Sequence, residues 1–220
     1  MKIFIDSADL KEIKYVAELG ICDGVTTNPT LIAKSGQDLQ FVIEQIVNLI
    51  AGPVSVEVIA TEYKQMVREA EELSKISGNI VVKLPLTQDG CKASRVLSGK
   101  GIRTNVTLCF SAAQAIMAAK AGATYVSPFI GRLDDVGENG LSLIKEMKQL
   151  FTMQHFETKI LSSSIRSVEH VVKSALYGAD AVTLPFKIYE QLFQHPLTDK
   201  GLSQFLKDWD SSGQKPIVEL

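Results

Sequence analysis

Eight short runs of β-forming residues recur along the chain, at 2–6, 24–28, 54–58, 80–84, 102–107, 124–129, 159–163 and 180–185, with segments of helical period between them. No other feature restricts the fold as much. Before the third run Leu39, Val42, Ile43, Ile46, Val47 and Ile50 fall on one helical face, and after it Met66, Val67, Ala70, Leu73 and Ile76 do the same. Ser111 and Gln114 have capping-box spacing with Gly122 as a stop, and Ser167 and Gly178 bracket the helix after the seventh run. Regular alternation of this kind means parallel strands joined by helical crossovers, closed as a barrel or open as a doubly wound sheet. Closure is favoured by Pro29, Pro85, Pro128 and Pro185, each at or just past the end of an even-numbered run, and by the echo of GATYVSPF (122–129) in GADAVTLPF (178–186). An open sheet would be expected to carry a Gly-rich first turn, yet Ser7-Ala8-Asp9 follows the first run and no GxGxxG occurs. The expectation is a single (β/α)8 barrel domain over residues 1–220.

A surplus helix at 198–212 carries Leu202, Phe205, Leu206 and Trp209 at i, i+3, i+4 and i+7, a stripe to be buried on its own barrel or on a neighbouring subunit. Residues 213–220 read as a frayed tail. With 23 Lys+Arg against 25 Asp+Glu the net charge is −2, which gives no counterion-release drive toward nucleic acid and no polybasic stretch for an anionic membrane. Cys22, Cys91 and Cys109 lack zinc or redox-motif spacing and read as reduced thiols. The first six residues already include an acidic group, and no apolar run nears the ~20 residues of a membrane span. A cytoplasmic protein is expected.

In a barrel the chemistry gathers where the strands end, and here those positions are polar. Asp6 closes the first run, Thr26-Thr27-Asn28 the second, and Glu57 and Lys83 sit in the third and fourth. Asn105 and Thr107 end the fifth, Ser127 lies in the sixth, Ser163 ends the seventh with Ser164 and Arg166 after it, and the eighth reads as apolar. Lys83 interrupts Ile80-Val81-Val82 and Leu84, where burying an ammonium costs several kcal/mol unless it is paired or neutral. A sheltered neutral amine is a nucleophile toward carbonyls, and a Schiff base makes a ketose carbon an electron sink. A lysine paired with Glu57 or Asp6 purely for structure is the alternative. Asp6 and Glu57 are candidate proton carriers, Glu57 through a water held by Thr107; the alternative for either is a strand-end residue capping the next helix. Ser164 and Arg166 stand at a helix entrance suited to an anion, with Arg132 as a second guanidinium, while Phe129 reads as core or as pocket wall. His155, His170 and His195 are scattered and form no metal-ligand cluster, so they read as structural or surface residues.

The motifs FIDSAD (4–9), GVTTNPTLI (24–32), VSVEV (54–58), VVKLPLT (81–87), TNVT (104–107), YVSPFIGRLDD (125–135) and SSSIR (162–166) together resemble the transaldolase family, in its small bacterial subfamily that also holds fructose-6-phosphate aldolases. The resemblance runs from Met1 to about residue 212. It implies an (α/β)8 barrel and Schiff-base chemistry on sugar phosphates with neither metal nor organic cofactor. By the same resemblance Lys83 is the Schiff-base lysine, Asp6 the acid/base at the carbon–carbon bond, and Glu57 with Thr107 the pair holding a water. Asn28 and Asn105 would bind hydroxyls, Ser127 would line the pocket, and Arg132, Ser164 and Arg166 would hold phosphate. It also implies that the last helix packs on an adjacent subunit, in pentameric rings that pair as decamers. Aldolases of the family tend to have Gln where Glu57 stands, Tyr where Phe129 stands and a residue other than Asn where Asn105 stands, so the resemblance favours the transferase. The competing expectations are a fructose-6-phosphate aldolase and a non-catalytic sugar-phosphate binding barrel.

Overall fold

A computed structural model describes residues 1–218 of the chain. The strands are β1 (Lys2–Asp6), β2 (Gly24–Thr26), β3 (Val54–Glu57), β4 (Ile80–Pro85), β5 (Thr104–Cys109), β6 (Tyr125–Pro128), β7 (Lys159–Ser162) and β8 (Ala181–Leu184). All pair in parallel, and β1 joins β8 to close the barrel. The helices are α1 (Leu10–Glu18), α2 (Pro29–Ser35), α3 (Leu39–Leu49), α4 (Tyr63–Ile76), α5 (Gln88–Gly99), α6 (Ala112–Lys120), α7 (Ile130–Asp135), α8 (Gly140–Met153), α9 (Val168–Leu176), α10 (Phe186–Gln191) and α11 (Pro196–Ser212). The short α2, α7 and α10 follow strand ends and were not expected from the sequence.

Local chemistry accounts for the ends. Asn28 leaves β2 early because its side chain caps α2, accepting from the Leu31 N–H at 3.0 Å. Ile102 stays out of β5 because its N–H bonds back to the Leu97 carbonyl, closing the end of α5. Ser111 caps α6 as its spacing predicts, while the Gln114 side chain reaches back to the Phe110 N–H. Ser167 caps α9, and Gly178 takes a φ of 86° after it.

The interior has two levels. Phe4, Val81, Tyr125, Leu161 and Ala181 form a separate apolar cluster. Strand side chains repeat every second residue, so the next inward position is polar in each case: Asp6, Lys83, Ser127 and Thr183 on their strands and Ser163 just past β7. A dry plug thereby supports a polar layer at the ends of the strands, and the larger aliphatic core fills the space between barrel and helices.

No residue of α11 is buried within the protomer, and Leu197, Leu202, Phe205, Leu206 and Trp209 are all exposed. The helix starts two residues before the expected 198 because Pro196 fits the first turn and the His195 ring caps it. Gly213 stops it with a φ of 66°. Of the expected tail, 219–220 lie outside the described residues.

Candidate active site

Strand register sets Lys83 between two partners: Glu57 pairs with it across β3 and β4, and Asn105 across β4 and β5. The Lys83 side chain is 6% exposed, and its Nζ lies 3.1 Å from Glu57 Oε2 and donates to the Thr27 carbonyl at 2.8 Å. Glu57 keeps 16% exposure, so its carboxylate touches both the amine and the edge of solvent. A buried amine held by one carboxylate and one carbonyl can pass its proton to a fixed acceptor, which is what a carbonyl nucleophile needs.

Asp6 faces the same space from β1. Burial pushes its carboxyl above the usual carboxylate range, opposed by the Lys83 charge and the Thr26 hydrogen bond and assisted by the Glu57 charge. Thr26 Oγ1 donates to Asp6 Oδ1 at 2.7 Å and lies 2.7 Å from Thr183 Oγ1. With its proton committed to Asp6, Thr26 receives the one from Thr183. A carboxyl whose proton affinity burial has raised, with a fixed donor beside it, suits proton exchange with a hydroxyl.

Asn105 donates to Ser55 Oγ at 3.3 Å and accepts from Ser127 Oγ at 2.7 Å, which fixes the amide and leaves an Nδ2 hydrogen for a ligand hydroxyl. Thr107 follows two residues on. The register of β5 against β6 shifts between Val106 and Cys109, and Leu108 adopts a φ of 61°. Such an irregularity beside a pocket redirects side chains. Thr107 Oγ1 is buried with no protein partner among the described residues, so its hydroxyl is left for whatever enters the pocket.

Asp6, Asn28, Lys83, Asn105, Thr107, Ser127, Phe129, Arg132, Ser164 and Arg166 line one cavity of ≈ 210 Å³, joined by Thr26, Ser163 and Thr183. Glu57 does not line it and enters only through Lys83. Arg132 stacks its guanidinium 5.1 Å from the Phe129 ring centre, and Arg166 Nη2 lies 2.7 Å from Asp135 Oδ2. Ser164 holds a left-handed φ of 61°, a strain of about 1–3 kcal/mol that tends to occur at functional loops. The Lys83 amine and the Asp6 carboxyl therefore line the cavity from β4 and β1, and two guanidinium groups line it from the segments after β6 and β7. Larger grooves of ≈ 720 Å³ and ≈ 700 Å³ lie on the outside, between α3 and α4 and between α5 and α6.

The profile of the family described as Transaldolase/Fructose-6-phosphate aldolase matches residues 3–216. The chain is 56% identical over 215 residues to a "Probable transaldolase" of Rhizobium meliloti (strain 1021), covering 98% of this chain and 99% of the relative. It is 53% identical to a "Probable transaldolase" of Clostridioides difficile (strain 630), covering 98% and 100%. The chain belongs to the transaldolase/fructose-6-phosphate aldolase family. A distant likeness to a flavocytochrome b2 variant with sulfite bound, at TM-score 0.61 and 11% identity, spans 84% of this chain and 56% of that one and concerns the fold alone. Among the described residues no helix is long and apolar enough to cross a membrane, and no group of three or more His, Cys, Asp or Glu is arranged to hold a metal ion.

Thr183 escapes the sequence reading, which took the end of the eighth strand as apolar. The signal is its position two residues after Ala181, the alternation that also places Lys83 after Val81. The Thr27 carbonyl, Asp134, Asp135 and His170 carried no comparable signal, because their importance rests on neighbours distant in sequence.

Proposed function

We propose that the protein is a transaldolase of the pentose phosphate pathway, moving a dihydroxyacetone unit from sedoheptulose 7-phosphate to glyceraldehyde 3-phosphate to give erythrose 4-phosphate and fructose 6-phosphate. The observation that carries the proposal is the buried Lys83 amine, 3.1 Å from the Glu57 carboxylate, opening on a cavity that Arg132 and Arg166 also line. Lys83 Nζ, its proton passed to Glu57, adds to the donor C2 carbonyl. The carbinolamine loses water as a proton returns through Glu57 and a water at the Thr107 hydroxyl, leaving an iminium. Asp6 takes the C4 hydroxyl proton, the C3–C4 bond breaks, and its electron pair moves to the iminium nitrogen as erythrose 4-phosphate departs. The enamine then attacks the acceptor aldehyde, Asp6 returns its proton to the new hydroxyl, and water releases fructose 6-phosphate from the lysine.

Asn28 and Asn105 hold the sugar hydroxyls beside Ser127, and Arg132, Ser164 and Arg166 receive the phosphate. Apart from water, every group these steps use is a side chain of the chain. The exposed stripe of α11 supports a homo-oligomer in which that helix lies on an adjacent copy, in the pentameric rings and decamers of the family. The free cysteines suit a cytoplasmic setting.

Incubation with fructose 6-phosphate, with and without erythrose 4-phosphate, tests the reaction. Sedoheptulose 7-phosphate appearing only with the acceptor is expected. Free dihydroxyacetone released without it would make the protein an aldolase, and binding without turnover in either case would leave a sugar-phosphate binding barrel.

A further inference from the structure

Two loops from different strands supply the guanidinium end of the cavity, and they meet at one imidazole. His170 is the third residue of α9 after the Ser167 cap, the position from which a capping-box side chain reaches back over the helix start. Here the ring reaches past the cap residue: Nδ1 accepts the Arg166 backbone N–H at 3.3 Å, while the His170 N–H is taken by Ser167 Oγ at 3.2 Å. Since Nδ1 offers a lone pair, the ring proton sits on Nε2, 3.2 Å from Asp134 Oδ2. Asp134 Oδ1 accepts the Gly140 N–H at 3.0 Å, so the carboxylate is anchored at the start of α8. The imidazole is 15% exposed.

These contacts join the loop carrying Ser164 and Arg166 to α7, which carries Arg132 and Asp135. The two surfaces also touch at Gly131, where a Cβ would stand 2.1 Å from the Ser164 carbonyl oxygen and 2.8 Å from Arg166 Cγ. Asp135 binds the Arg166 guanidinium at 2.7 Å, while the imidazole holds its backbone. Resting on the reading of this rim as the phosphate end of a sugar-phosphate site, we propose that His170 is a positioning residue for substrate phosphate. Its Nε2–H tautomer, fixed by Asp134, fastens the Arg166 loop to α7 so that both arginines converge on one anion. His170 touches no reacting atom, so its effect falls on substrate capture.

The test combines calorimetric binding of inorganic phosphate with steady-state kinetics on fructose 6-phosphate and erythrose 4-phosphate. His170→Phe removes both ring contacts. Asp134→Asn keeps the acceptor for Gly140 but presents an amide donor to Nε2, which drives the ring proton to Nδ1 and sets it against the Arg166 N–H. His170→Asn keeps an acceptor near the place of Nδ1. A loosened anion site costs about tenfold in the dissociation constant for phosphate and in KM for fructose 6-phosphate with kcat within about twofold. That result is expected for His170→Phe and Asp134→Asn, with recovery toward wild type in His170→Asn. If His170→Phe does not fold, Asp134→Asn decides. Wild-type phosphate affinity in Asp134→Asn, or a fall in kcat at unchanged KM, would overturn the positioning role and leave the site reading intact. A wild-type protein that fails to bind phosphate in competition with fructose 6-phosphate would remove the site reading, and the inference with it.

Discussion

Replacing Lys83 by Met removes an ammonium while keeping an unbranched chain of similar length in the same slot. Two contacts go: the 3.1 Å approach to Glu57 and the 2.8 Å bond to the Thr27 carbonyl. The first matters more, because it leaves a carboxylate beside an apolar side chain with only 16% of its surface in water. Breaking a buried ion pair costs about 3–5 kcal/mol, and the partial exposure of Glu57 argues for the lower figure. At roughly 2–4 °C per kcal/mol for a domain of this length, a loss of about 3 kcal/mol lowers Tm by about 6–12 °C. Neutralising the orphan should restore much of this, so Lys83→Met with Glu57→Gln is expected to be more stable than Lys83→Met alone by about 2 kcal/mol. Thermal unfolding followed by circular dichroism, on the wild type, both single variants and the pair, gives the cycle. A Lys83→Met protein within about 0.5 kcal/mol of wild type, or a cycle with no coupling, would show that the ammonium and carboxylate do not depend on each other.

Asp6→Asn keeps an acceptor for Thr26 and removes a carboxyl whose proton affinity burial has raised. The wild-type carboxyl favours the folded state below the unfolded value of ~3.9, and that advantage is lost as pH rises through the higher folded value. The variant should match wild type in acid and exceed it in Tm at neutral and alkaline pH, while sugar exchange falls on the order of 10²–10⁴-fold; Tm and kcat measured from pH 4 to 9 check both. Gly131→Ala drives a methyl into the Ser164 carbonyl and the Arg166 side chain, so stability should fall by about 1–3 kcal/mol in urea titration and KM for fructose 6-phosphate should rise with it.

The barrel and most of the pocket were legible because both follow from period. Lys83 announces itself inside Ile80-Val81-Val82 and Leu84, and Asp6, Ser127 and Ser163 fall two residues beyond apolar plug positions. Thr183 obeys the same rule, and the apolar Leu184-Pro185 beside it obscured it. The place of Glu57 was legible only in part: residue type suggests a proton carrier, but its position beside Lys83 and off the cavity wall depends on the register of β3 against β4. Locally, only its place three residues after the Ser167 cap sets His170 apart from His155, and that does not reveal its partners. Those are a backbone N–H four residues upstream of His170 and a carboxylate 36 residues upstream, brought together only when β6 and β7 are paired. The stripe on α11 was equally plain in the sequence, and its failure to bury within the protomer depends on where the chain leaves β8 and α10.

The proposed chemistry stands on condensation of the Lys83 amine with a ketose. Borohydride reduction in the presence of fructose 6-phosphate, followed by peptide mass spectrometry, reads this directly. A stable sugar-derived adduct is expected on the peptide containing Lys83, absent when sugar is omitted and absent in Lys83→Met. An unmodified Lys83 peptide after reduction, or an adduct that persists in Lys83→Met, would contradict it.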